Sequence, residues 1–123
     1  MSVFVYDYDH NAPNAEYLKN THEKMFKTIR AAHPDLPIIF MSRPRYLLRD
    51  EDPQRRSIVE ETYKKALEAG DGNVYFLDNN ALTALCGGDG MVDGTHPTDF
   101  GFASMAMAVG DVLETVFKKK NWM

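Results

Sequence analysis

The sequence has a single cysteine, Cys86. This excludes an internal disulfide and any metal site built from several thiolates. No uninterrupted apolar run reaches the ~20 residues of a bilayer-spanning helix, and no charged start followed by an apolar stretch marks a signal peptide. Basic residues are in deficit, 14 Lys and Arg against 18 Asp and Glu, for a net charge of −4. The one basic cluster, Lys118-Lys119-Lys120, lies at the end of the chain, where it suits the C-terminus of a helix. Neither nucleic acid nor a membrane is therefore an expected partner. Repeats, low-complexity segments and linkers are also missing, so residues 1–123 read as one domain.

What is present is an alternation of strand and helix patterns. Three short apolar runs, Val3–Tyr6, Ile38–Met41 and Val74–Leu77, are rich in β-branched and aromatic residues. Such runs suit strands buried on both faces of a parallel sheet. The first helical pattern covers about Ala15–Ala32, with Leu18, Met25, Ile29 and Ala32 as its stripe. The second opens at Asp52-Pro53, an N-cap followed by proline at the first helical position. It turns Ile58, Val59, Thr62, Tyr63, Ala66 and Leu67 inward and stops at Gly70, a C-cap residue. The third runs from near Thr98 to Phe117 and buries Phe102, Met105, Val109, Val112, Val116 and Phe117, with Met107 as further core packing. Close packing against the sheet accounts for Gly110 inside it. The order β-α-β-α-β-loop-α predicts right-handed βαβ units with helices on both faces of the sheet.

Ligands of open parallel sheets bind beyond the carboxyl ends of the strands. Those ends carry Asp7, Asp9, His10 and Asn11, then Ser42 and Arg43, then Asp78 and Asn79, with Asp93 and His96 further on. Polar strand ends are ordinary, because loops are polar. An Asp three residues before a His, on a turn bounded by Gly94 and Pro97, is more specific. The carboxylate can hold the imidazole by one nitrogen and leave the other free to move a proton. The plain structural alternative is an Asx-turn capping the last helix.

The stretch Asp93-Gly94-Thr95-His96-Pro97-Thr98-Asp99-Phe100-Gly101-Phe102 resembles the last block of the SGNH (GDSL-type) hydrolases, which holds a catalytic Asp and His. Val3-Phe4-Val5-Tyr6-Asp7-Tyr8-Asp9-His10-Asn11-Ala12-Pro13 resembles the family's third block, a strand followed by an oxyanion-hole Asn. The resemblance implies a three-layer α/β/α, flavodoxin-like fold with a parallel sheet of about three strands. The family's first block, a Gly-Asp-Ser-type turn with the nucleophile, and its second, which supplies an oxyanion-hole Gly, have no counterpart. On this reading residues 1–123 are a single partial domain, the C-terminal portion of an esterase or acylhydrolase, truncated at the N-terminus and inactive alone.

The roles implied are His96 as general base and then acid, Asp93 as its orienting carboxylate, and Asn11 as an oxyanion donor worth roughly 3–4 kcal/mol. A helix cap is the alternative for Asn11. No nucleophile is expected within the chain. Ser42 follows a strand without a Gly-flanked elbow and reads as a turn or pocket residue, and Ser57 and Ser104 sit in helices. Arg43 and Arg45 are expected to pair with the acidic stretch Asp50–Asp52, His10 to lie near the site, His22 and His33 to sit on helix surfaces, and Cys86 to pack in a loop. No metal or cofactor is implied. The implied substrate is a small ester or an acylated carbohydrate. The edge strand Val3–Tyr6 would recruit a second copy or a missing N-terminal segment.

A rival comes from the haloacid-dehalogenase-type phosphatases. Val3–Tyr6 followed by Asp7-Tyr8-Asp9, Ser42 after the next strand, Lys64 or Lys65 on a helix, and Gly88-Asp89 with Asp93 resemble that family's set. Asp7 would be the nucleophile and Asp7, Asp89 and Asp93 the Mg²⁺ ligands. That family expects Thr or Val at the position of Asn11 and leaves His96-Pro97 unexplained. A non-catalytic binding domain is the third reading.

Overall fold

A computed structural model describes all residues, Met1–Met123. The strands are β1 (Phe4–Tyr6), β2 (Ile38–Met41) and β3 (Val74–Leu77). The helices are α1 (Ala15–Ala32), α2 (Asp52–Glu68), the short α3 (Asn79–Leu82) and α4 (Asp99–Lys119). The strands form one sheet in the order β1-β2-β3, with β1 and β2 parallel in the register Phe4 to Ile38, Val5 to Ile39 and Tyr6 to Phe40. The fold is thus α/β with three parallel strands, as the strand and helix periods predict. Contacts divide the chain into two compact units, residues 1–43 with 49–76, and residues 44–48 with 77–123.

In the first unit, α1 packs on α2 around Tyr6, Leu18, Phe26, Ile38, Phe40, Val59, Ala66 and Val74. All four residues of β2 are buried, whereas Val5 of β1 is exposed. The reason is position: β2 lies between two neighbours and β1 is an edge. Burial of a side chain such as Phe40 contributes about 2–3 kcal/mol.

Helix ends follow the expected chemistry with one change. Asn14 caps α1, its Oδ1 accepting from the Tyr17 N–H at 2.8 Å. Gly70 adopts φ +87° just past α2, while the Asp71 N–H bonds back to the Ala66 carbonyl in a left-handed C-terminal closure. At the other end Asp52 is the first helical residue, not the cap, because its carboxylate accepts from the Arg49 N–H at 3.0 Å and from Arg43 at 3.2 Å.

The buried stripes differ from the apolar pattern. On α1 the stripe is Ala15, Leu18, His22 and Phe26, and Met25 is exposed. On α2 it is Asp52, Arg55, Val59, Thr62 and Ala66, and Leu67 is exposed. In both helices a polar residue with buried partners displaces an apolar one. His22 is therefore a core residue, not a surface one. Its ring stacks on Tyr6 with centroids 4.5 Å apart, and Nδ1 meets the Thr62 hydroxyl at 2.8 Å.

The second unit is built on α4, which packs on α3 and on the Gly87–Gly90 turn. Thr98 caps it, accepting from the Gly101 N–H at 3.2 Å. The expected inner face is only partly realised. Gly101, Ser104 and Val116 are buried, but Phe102 and Met107 are 56% and 58% exposed. Gly110 faces open space, with nothing within 4 Å of an added Cβ, so close packing is not its reason. By length and composition α4 could cross a membrane. A count of uninterrupted apolar runs misses it because Asp111 and Glu114 break the run.

Candidate active site

The second unit carries the Asp-His pair on a turn closed at its base by backbone pairing. Met91 bridges Pro97, the Val92 N–H reaches the His96 carbonyl at 2.8 Å, and the Thr98 N–H reaches the Gly90 carbonyl at 2.8 Å. Gly94 at φ +79° makes the reversal at the tip. Two close approaches fix the base. A Cβ on Gly101 would overlap the Gly90 carbonyl oxygen, and one on Gly90 would overlap the Cys86 sulfur. Cys86 is buried there as a packing residue.

Within the turn, Asp93 Oδ1 accepts from the Thr95 N–H at 2.9 Å and the His96 N–H at 2.8 Å, while Oδ2 meets His96 Nδ1 at 2.7 Å. The Asx-turn and the Asp-His pair are therefore the same structure, not alternatives. The His96 amide first, then its imidazole and the Thr95 amide, hold the Asp93 carboxyl far below the usual carboxylate range. The carboxylate stays ionised and fixes the imidazole by Nδ1, leaving Nε2 for proton transfer. The His96 side chain is 77% exposed.

Arg45 reaches the Asp93–His96 turn. Its Nε donates to the Gly94 carbonyl at 3.2 Å and its Nη2 to the Thr95 hydroxyl at 2.9 Å, while its own carbonyl accepts from Asn79 Nδ2 at 3.0 Å. Asp78 caps α3 through the Ala81 N–H.

Asn11 belongs to the first unit. It ends the 3-10 turn Asp9–Asn11 that follows β1, and it is exposed. It does not cap α1, since Asn14 does. The turn is gripped by Arg55, a fully buried residue of α2. Its Nε donates to Asp9 Oδ1 at 2.7 Å, and its Nη2 donates to the Asp9 carbonyl and, at 2.8 Å, to the Ala12 carbonyl. Asp9 Oδ2 also accepts from the Arg43 N–H at 3.0 Å. Arg43 in turn pairs with Asp52 at 3.2 Å, as the acidic stretch predicted. Sequence reading missed Arg55 altogether. The signal for it was a charged residue in register with Val59, Thr62 and Ala66 on one helix face.

The serines differ in availability. Ser57 donates to the Pro53 carbonyl inside α2, and Ser104 donates to the Leu82 carbonyl from α4. Ser42 is buried with its hydroxyl unpartnered, and Ser2 is exposed ahead of β1. His10 is exposed beside Asn11 and His33 is exposed past α1. The phosphatase set finds other employment. Asp9 is neutralised by Arg55, both Asp93 oxygens are engaged by the turn, and nowhere do three His, Cys, Asp or Glu side chains converge to hold a metal. A cleft of about 630 Å³ lined by Phe26, Lys27, Arg30, Lys65 and Asp71 lies where the chain enters the strands, the end opposite to Asn11 and Ser42. Sheets of this kind seat ligands at the exit ends.

The family model described as GDSL-like lipase/acylhydrolase matches residues 1–114. Among solved structures, the chain resembles a GDSL-like lipase from Bacteroides ovatus, with a TM-score of 0.77 at 25% identity over 95% of this chain. It also resembles the salicylyl-acyltransferase SsfX3 from a tetracycline biosynthetic pathway, with a TM-score of 0.62 at 19% identity over 88% of this chain, a likeness of fold alone. The chain spans 36% of the length of each of these structures. No curated protein matches it.

Proposed function

Because the chain belongs to the GDSL-like lipase/acylhydrolase family, we propose that it carries the acid–base pair and one oxyanion donor of a serine esterase whose nucleophile lies outside these 123 residues. The observation that carries this reading is the 2.7 Å contact of Asp93 Oδ2 with His96 Nδ1, which leaves Nε2 in solvent. In the reaction, Nε2 takes the proton of an attacking serine hydroxyl as its oxygen adds to the ester carbonyl. Asp93 stabilises the resulting imidazolium, and the Asn11 side-chain N–H donates to the oxyanion. Collapse expels the alcohol, which receives the proton from His96, and leaves an acyl-serine. Water then adds by the same route and releases the acid and the free serine. The steps call on no metal or cofactor. The substrate is a small carboxylic ester, an acylated carbohydrate among them.

The partner in this reading is a serine-bearing strand. β1 is paired on one side only and Val5 is exposed, so its free edge is available to such a strand or to a second copy. The test is fluorophosphonate labelling and p-nitrophenyl acetate turnover, with the chain alone and joined to the Gly-Asp-Ser-bearing N-terminal segment of a GDSL-like relative. The chain alone should be unlabelled. The joined protein should turn over substrate and lose about 10⁴-fold in kcat on Asp93→Asn. Robust labelling of Ser42 in the chain alone, or a joined enzyme indifferent to His96→Ala, would overturn the proposal.

A further inference from the structure

The Asp93–His96 turn projects into water, and an exposed pair three residues apart has little strength of its own to hold one geometry. Its base is fixed by the pairing of residues 90–92 with 96–98. At the tip it is Arg45 that reaches in from outside the turn. Arg45 is 8% exposed, a low value for a guanidinium. Its fork spans two consecutive residues, the Gly94 carbonyl at 3.2 Å and the Thr95 hydroxyl at 2.9 Å. Gly94 is the residue in the left-handed region, and its carbonyl belongs to the peptide whose N–H is the Thr95 amide, so the bond from Arg45 fixes the peptide that donates to Asp93. The backbone of Arg45 is itself anchored, its carbonyl accepting from buried Asn79. A planar, permanently charged fork suits this two-point grip better than a lysine does.

We propose that Arg45 is the positioning residue of the acid–base pair, holding the 93–96 turn through Gly94 and Thr95 in the conformation in which Asp93 reaches both the amide and the Nδ1 of His96. Arg45 touches no reacting atom. Its part is to keep the Asp93–His96 geometry populated before substrate arrives. This inference rests on reading Asp93 and His96 as the acid–base pair.

The test uses the isotope-labelled chain alone and needs no catalysis. The downfield proton resonance of His96 Nδ1–H and the solvent exchange of the Thr95 and His96 amides are compared in wild type, Arg45→Gln, Arg45→Lys and Thr95→Val, with the amides of α4 beyond Phe102 as the measure of the fold. Arg45→Gln should speed exchange of both turn amides by about tenfold or more and broaden the Nδ1–H signal, with α4 unchanged. Arg45→Lys, with one donor centre, should recover part of the protection, and Thr95→Val should loosen the turn in the same sense by less. An unaltered Nδ1–H signal and unaltered exchange in Arg45→Gln would overturn the proposal. Should Arg45→Gln unfold the unit, an unaltered Thr95→Val would overturn it equally. Failure of the parent reading shows elsewhere, as a joined enzyme that does not need His96.

Discussion

Protonation of His22 should destabilise the first unit, and the size of the effect follows from what surrounds the ring. The imidazole is fully buried, stacked on Tyr6, with Nδ1 on the Thr62 hydroxyl and no partner at Nε2. Acid would place a positive charge and a second N–H in an aromatic stack with no acceptor to receive it. Burial, the largest influence, pushes the pKa down to about 4, against a weaker upward pull from Asp9 and Glu23. An unfolded histidine titrates near 6.5, so the unfolded chain takes the proton first. The His22 contribution is therefore intact above about pH 6.5 and is lost as the pH falls toward 4. From pH 7 the loss amounts to about 2 kcal/mol by pH 5 and about 3 kcal/mol by pH 4. Urea denaturation followed by near-ultraviolet dichroism of the tyrosines, for wild type and His22→Gln over this range, reads it directly. The two proteins are identical apart from residue 22, so the difference between the two curves isolates His22. The stability advantage of wild type should shrink by about 2 kcal/mol between about pH 7 and pH 5. Parallel curves would refute the assignment of a neutral, desolvated imidazole.

Arg55→Met leaves the buried Asp9 carboxylate with Arg43 as its remaining partner, and urea denaturation should record a loss of about 3 kcal/mol. Two glycines of α4 should respond with opposite signs. At Gly101 a new methyl meets the Gly90 carbonyl and, at 3.0 Å, Pro97 Cβ; the backbone side of that contact has no room to yield. Gly101→Ala should cost about 1–3 kcal/mol and shift the His96 resonances. At Gly110 nothing lies within 4 Å, and Ala should raise stability by about 0.5–1 kcal/mol in a thermal melt. Phe102→Gln, at an exposed site, should leave the unfolding free energy within about 0.5 kcal/mol; a loss of several times that would show the ring to be covered.

Strands and helices were legible because their periods are local. β2, β3 and α1 occupy the predicted ranges residue for residue, and Asn14, Gly70 and Thr98 stand at the ends of α1, α2 and α4. What periodicity missed is which residues those stripes bury. His22 and Arg55 are polar by composition and buried by partnership, with Thr62 40 residues away from the one and Asp9 46 residues from the other. No local pattern announces a partner at that distance, and periodicity turns Met25 and Leu67 inward instead. α4 departs in the opposite sense: its apolar pattern turns Phe102 and Met107 inward, and both face out. An apolar stripe states that burial would be favourable; it does not supply the surface that accomplishes it.

The same distinction separates the pair Asp93 and His96 from Asn11. Asp93 and His96 find each other within four residues, through an Asx-turn that any solvent-exposed Asp-Gly-Thr-His sequence can begin to form, and they are readable for that reason. Asn11 is placed by a network of Asp9, Arg43, Asp52 and Arg55 that exists only once α2 has docked. The pair and Asn11 should accordingly fail in different ways. Acid or a lesion such as Arg55→Met acts on the first unit and releases the Asn11 turn while the 2.7 Å Asp93–His96 contact, internal to its own turn, persists. Lesions at Gly101 or Arg45 act on the second unit and do the reverse. In the proposed esterase the oxyanion donor and the acid–base pair would thus fail separately, the first with the stability of a buried ion network and the second with the order of a surface turn.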